Sequence, residues 1–336
     1  MMDSKFRVWK NLISTLVSVV IACILLSGSG CEKKVSKTHS TSAKLSFAVD
    51  VVTMANSPIY IAEAKGFWKD ENLNVEIKPF VSGRLALDAL VGKSVTAATV
   101  VDISTVLAAY QGHNPRIVAT FVTSEKHVNM LARRDRGISK PEDLKGKKIA
   151  VSPGTSAEFV MNLFLERAGI SRSDVSVVAL NPPEIAAAIS RGDVDAAFAW
   201  QPHIYNAQQA LGSNYVVVNS EGIYNHPFSV VVMAESIPNY KEDIKKLILG
   251  LIQAEKFIKE NRSEAIQIVA KRIDVDPKIV EALWDNYVFE VSLDPSLPQS
   301  LKREGKWVKK AGVVKEDAKE PDYQALVYRG LLPASK

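Results

Sequence analysis

From Lys44 onward the chain alternates between short apolar runs and amphipathic stretches, and it does so in two rounds. Leu45–Val51, Leu73–Ile77, Val95–Val100 and Arg116–Phe121 read as strands. Between them, Ser57-Pro58 opens a helix with Ser as cap and Pro in its first turn, which stops at Gly66. Gly83-Arg84 leads into a helix over Leu85–Val91, and Ile103–Tyr110 forms a third. The second round follows His127–Arg133, with strands over Lys147–Val151, Val175–Leu180, Val194–Trp200, Tyr215–Val218 and Phe228–Met233. Capping boxes at Ser139-Lys140-Pro141-Glu142 and Thr155-Ser156-Ala157-Glu158, and a cap at Asn181-Pro182-Pro183-Glu184, start its helices; another helix runs from His203 to Leu211. After Glu235 the pattern is almost all helical: Lys241–Glu260, Ser263–Ile273, Pro277–Tyr287, Ser296–Lys310 and Asp322–Tyr328. Strands alternating with helices predict an α/β fold of mostly parallel sheets with helices on both faces. Two rounds predict two lobes that interleave, lobe 1 from 44–128 plus 232–336 and lobe 2 from 129–231. The strand-like segments His127–Arg133 and Phe228–Met233 are then the crossings of a two-strand hinge. Ligands of open α/β sheets bind at the carboxyl ends of the strands, so two facing lobes form a cleft able to close.

The start of the chain is of another kind. Lys5, Arg7 and Lys10 precede an apolar run from Leu12 to Leu26, then Ser27, Gly28, Ser29, Gly30 and Cys31. This is the order of a secretory signal peptide, and its apolar run is shorter than the roughly 20 residues of a spanning helix. A Cys directly after small residues suggests a bacterial lipoprotein signal over 1–31, with Cys31 lipidated as the mature N-terminus and 32–43 a flexible tether. Cys23, after Val20-Ile21-Ala22, is the alternative acceptor. The expected location is the periplasm or cell surface, tethered to a membrane by that lipid.

Both cysteines of the 336-residue chain lie in this region, so the folded part has no disulfide, thiolate metal site or Cys nucleophile. Of the formal charge of +5, residues 1–30 supply +2 (Lys5, Arg7 and Lys10 against Asp3), leaving +3 with both signs interspersed. Nucleic-acid binding asks for a clustered basic stripe, which is absent. The five His residues show no metal spacing, and no nucleophile elbow or phosphate loop appears. No cofactor, metal or catalytic residue is expected, and the chain reads as a monomeric binder rather than an enzyme.

Several segments together carry a family resemblance: Ser57-Pro58-Ile59-Tyr60-Ile61-Ala62-Glu63-Ala64-Lys65-Gly66-Phe67-Trp68, Pro141 through Ala150, Pro153-Gly154-Thr155-Ser156, and Gly192-Asp193-Val194-Asp195-Ala196 through Trp200-Gln201-Pro202. Over about Lys44 to Glu260 the chain resembles the nitrate/sulfonate/taurine-type substrate-binding proteins of ABC importers, a group that includes pyrimidine-precursor binders. The resemblance implies a type 2 periplasmic-binding-protein-like fold with a helical C-terminal tail, and an ABC permease as partner. It also implies a small anionic organic solute such as a sulfonate or taurine. A pyrimidine or other aromatic solute, or a sensory role beside a membrane receptor, is the alternative.

Candidate ligand contacts follow from position at strand ends. Thr155 and Ser156 open a helix whose free N–H groups and dipole suit an anion, while Thr155 also caps that helix with Glu158. Asn56 and Ser57 offer the same donors, or a plain cap. Arg84 is a guanidinium able to grip a planar anion, or a solvated one. Asp102 either pairs with a ligand amine or caps the helix from Ile103. Trp200 offers a stacking face and Gln201 a hydrogen bond, and Tyr224 reaches the cleft on closure. Each of these three has a bland reading as interlobe packing or loop.

Overall fold

The structure is a computed structural model and describes residues 44–333. The expected signal peptide, Cys31 and the expected tether lie outside the described residues.

Lobe 1 is built on β1 (Lys44–Asp50), α1 (Ser57–Lys65), α2 (Phe67–Asp70), β2 (Asn74–Phe80), α3 (Gly83–Val91), β3 (Ala97–Val101), α4 (Asp102–Tyr110) and β4 (Pro115–Ser124). The chain then forms lobe 2 with β5 (Val128–Arg133), β6 (Lys148–Val151), α5 (Ser156–Arg167), β7 (Ser176–Ala179), α6 (Ile185–Arg191), β8 (Ala196–Trp200), α7 (His203–Leu211) and β9 (Tyr215–Asn219). It returns through β10 (His226–Met233), α8 (Ile237–Glu260), α9 (Arg262–Ile273), α10 (Pro277–Trp284), β11 (Val288–Ser292) and α11 (Leu297–Lys310).

The first sheet runs β11-β4-β10-β3-β1-β2 and the second β7-β6-β8-β5-β9. β1 is parallel to β2 and β3, and β6 to β7 and β8, whereas β5, β10 and β11 pair antiparallel with their neighbours. Side chains alternate between two buried faces: Phe47 and Val49 enter one core, Ala48 the other; Met130 and Phe198 enter one core of lobe 2, Leu131 and Ala197 the other. Sheets covered on both faces are what continuous apolar strands such as Ala196–Trp200 require. In α8, Ile244, Leu247, Ile248 and Leu251 form the buried stripe, and the Trp68 indole locks the helix to lobe 1 by donating to Leu247 O at 3.0 Å.

Five expectations are corrected. His127–Arg133 and Phe228–Met233 lie largely inside β5 and β10; the connectors between lobes are residues 125–127 and 220–225. The tail is not all helix, since β11 adds an edge strand to the first sheet and no helix forms over Asp322–Tyr328. Asn56, not Ser57, holds the cap position of α1, and Ser57 Oγ donates to Met54 O at 2.5 Å. Thr155 does not cap α5 with its side chain: its hydroxyl donates to Ser152 O, while Glu158 Oε2 accepts from Gly154 N at 2.8 Å. The turn before Pro141 closes likewise on Asp143, which takes the Ser139 and Lys140 N–H groups in place of Glu142.

Candidate functional site

The carboxyl ends of β1, β3 and β8 converge with the loop into α5, the connector residue His127 and the start of β10 on one narrow cleft. Asp50 and Asn56 come from the end of β1 and the turn after it. Gly83 and Arg84 start α3, Ser104 lies in α4, and Thr155 and Ser156 start α5. His127, Trp200 and Phe228 close the hinge end. The free volume is about 30 Å³, room for about two waters. A larger solute therefore enters only when the lobes part.

One wall is acidic and acceptor-rich. Asp50 is 6% exposed, and burial pushes its carboxyl up from 3.8 to about 7, against a small opposing effect of the Val52 N–H on Oδ1. Its backbone is pinned, since Asn56 Nδ2 donates to Asp50 O at 2.7 Å and Tyr60 donates its hydroxyl there at 3.0 Å. That leaves Asn56 Oδ1, fully buried, with no hydrogen-bond partner among the described residues.

The other pole is a set of donors. Arg84 lies against the loop into α5: a Cβ added at Gly154 would sit 3.4 Å from Nη1. Among the described residues its one ion pair is with Asp88, an exposed carboxylate at 3.1 Å. The first N–H groups of a helix have no partner within it and carry the positive end of its dipole. At α5 these belong to Thr155, Ser156 and Ala157. Glu158, the acid of that turn, is neutralised by Arg172 at 2.8 Å. Trp200 Nε1 is buried and lacks an acceptor among the described residues. Across the cleft mouth Ser104 Oγ donates to Gly154 O at 2.8 Å, a direct bond between the lobes.

The hinge end is aromatic and uncharged. The His127 ring stacks on Trp200 at 5.8 Å and 20°, and meets Phe228 and His226 edge-on at 4.6 and 5.3 Å. Burial drives His127 well below the ordinary histidine range, with His226 and His203 adding to it, and brings His203 and His226 to about 4.

Of the residues expected here, Asn56, Arg84, Thr155, Ser156 and Trp200 line the cleft. Ser57 is turned into lobe 1, and Gln201 spends its amide oxygen on Tyr205 N at 3.1 Å. Asp102 and Tyr224 face a different cavity, where Asp102 accepts from the Tyr224 hydroxyl. Asp50, Thr53, Thr99, Ser104, His127 and Phe228 were missed. Asp50 carried a signal, an acid ending an apolar strand, the same argument that singled out Asp102. No group of three or more His, Cys, Asp or Glu able to hold a metal occurs among the described residues.

Comparison with known proteins places this geometry. A protein of Bacillus subtilis assigned as an aliphatic sulfonates-binding protein is 26% identical over 277 residues, 81% of this chain and 82% of its own length. The taurine-binding periplasmic protein of Escherichia coli is 33% identical over 168 residues, 49% of this chain and 51% of that protein. The fold is that of the alkanesulfonate-binding protein SsuA of Xanthomonas axonopodis pv. citri, solved bound to MOPS, with a TM-score of 0.77 at 21% identity over 86% of this chain and 99% of that one. The nitrate-binding protein NrtA of Synechocystis PCC 6803 aligns with a TM-score of 0.62 at 16% identity, covering 81% of each chain. The family described as NMT1/THI5 like matches residues 54–265, well over half of the sequence, and the chain belongs to that family.

Proposed function

We propose that this protein is the extracytoplasmic solute-binding component of an ABC importer and that its solute is a small amino-sulfonate of the taurine type. The observation that carries this reading is the pairing, in one cleft, of a buried acid with a set of anion donors. Asp50 and Asn56 Oδ1 suit an ammonium, and Arg84, Ser156 and the α5 N-terminus suit a sulfonate. A solute carrying both charges satisfies both poles; a plain alkanesulfonate leaves Asp50 without a counter-charge and Asn56 Oδ1 buried without a partner, the latter at a cost of about 1–3 kcal/mol.

Binding follows from differential affinity for the closed state. With the cleft empty, closure buries Asp50 against no counter-charge and resists ionisation of its carboxyl. The ammonium supplies that charge, so the solute favours closure, and the closed form is what the permease engages. No bond is made or broken. Lipidation of Cys31 anchors the protein beside the permease; Cys31→Ser releases it from membrane fractions, and retention would argue against the anchor.

A thermal-shift panel tests the solute class. A ligand at 100 times its Kd adds about 2.7 kcal/mol, a shift of several degrees. Taurine should stabilise the protein, with nitrate and pyrimidines inert. A response confined to pyrimidines would transfer the assignment to the aromatic end of the cleft, where His127, Trp200 and Phe228 now spend much of their ring surface on one another.

A further inference from the structure

Asp102 and Tyr224 belong to a second cavity, far larger than the cleft at about 880 Å³. It lies between α11, the loop before it, α5 and the connector 220–225. Its charged lining is Asp102, Glu290, Asp294 and Glu304 against Arg303. Two of these acids are deeply buried, Asp102 at 1% and Glu304 at 3% exposure. A single hydroxyl serves both: Tyr224 donates to Asp102 Oδ1 and lies 3.1 Å from Glu304 Oε1. A hydroxyl has one hydrogen, and the two carboxyls also hydrogen-bond each other, which requires that one of them hold a proton. Glu304 Oε2 is left with no hydrogen-bond partner among the described residues. Burial holds both carboxyls above their ordinary range, Glu304 the more strongly, so Glu304 keeps the proton of the pair and Asp102 keeps the one negative charge left for a cation to meet.

Beside the acids stands an aromatic corner. Phe159 meets Tyr224 edge-on at 4.8 Å and Trp307 at 4.5 Å. Buried acid next to aromatic faces is the chemistry that holds a desolvated ammonium. The acids are not grouped to ligate a metal ion. We propose that this cavity is a second ligand site, separate from the interlobe cleft, which binds a small organic ammonium compound through Glu304, Asp102 and the Phe159–Trp307 rings.

The test is calorimetric titration of choline, tetramethylammonium and putrescine into the purified protein, against sodium chloride at matched ionic strength. At least one should bind saturably, and Asp102→Asn, which removes the charge the pair retains, should weaken it tenfold or more. Trp307→Leu, at a half-buried position, should weaken it several-fold and guards against a folding defect in the first variant. Both variants should keep the wild-type response to cleft solutes, so failure here is distinguishable from failure of the taurine assignment. No saturable binding of any of the three cations, or binding that survives both substitutions unchanged, overturns the proposal.

Discussion

Asp50→Asn should make the protein more stable and a poorer binder at once. The unfolded chain titrates this carboxyl near 3.8 and the closed form near 7. Between those values the folded state holds the extra proton, so stability falls as pH rises through the window and levels off above about 7. At 1.36 kcal/mol per pKa unit, a rise from 3.8 to about 7 is worth about 4 kcal/mol. That is a ceiling, because parting the lobes rehydrates the carboxylate and relieves part of it. Asn keeps the shape and carries no charge. At pH 8 the variant should melt higher, by at most roughly 10 °C. Without solute it should also have a smaller radius of gyration by small-angle scattering, because its empty cleft closes. At pH 4 the two proteins should coincide in both measurements. Equal melting temperature and equal radius at pH 8 would refute the idea that a buried charge holds the empty cleft open.

Three other outcomes follow. Arg84→Ala should weaken sulfonate binding about 10- to 150-fold by calorimetry, the worth of a charged hydrogen bond, while leaving the melting temperature nearly unchanged since its ion pair is with exposed Asp88. His203, neutral and buried with a folded pKa of about 4 against 6.5 unfolded, contributes stability that is present above 6.5 and lost as pH falls toward 4. His203→Phe should therefore remove about 3 kcal/mol of acid destabilisation across that window, read from urea midpoints. Gly250→Ala should destabilise by about 1–3 kcal/mol, because its Cβ would lie 2.2 Å from Trp68 Cδ1, where α8 packs on lobe 1.

How much of this was legible in sequence depends on range. Helix ends marked by glycine were readable: Gly66 and Gly192 adopt φ of +78° and +80°, the left-handed conformation that stops α1 and α6. Apolar strands such as Ala196–Trp200 were readable because both their faces are buried. The edge strand β11 was not, since its five residues are only partly buried and their pairing partner, β4, lies over 160 residues away. Hinge position was misread for a related reason. Apolar runs marked β5 and β10, whereas the crossings are the polar segments beside them. Cap chemistry failed at Thr155 because its hydroxyl turns back to donate to the Ser152 carbonyl and accepts from no N–H of α5.

The site shows the same division. Strand-end logic brought Asn56, Arg84, Thr155, Ser156 and Trp200 to the cleft, since each follows from local position. It could not direct side chains: Asp102 sits at a strand end as Asp50 does, yet points to Tyr224 across another cavity. Sequence position alone does not separate those two acids. Their partners, Tyr60 and Asn56 for the backbone of one, Tyr224 for the carboxyl of the other, do.

The most direct test of the central claim is calorimetric titration of the wild-type protein with taurine and, separately, ethanesulfonate, which differ only by the ammonium group. If Asp50 and Asn56 receive that ammonium, taurine should bind about 10- to 150-fold more tightly. Equal affinities, or tighter binding of ethanesulfonate, would contradict a cleft built for both charges.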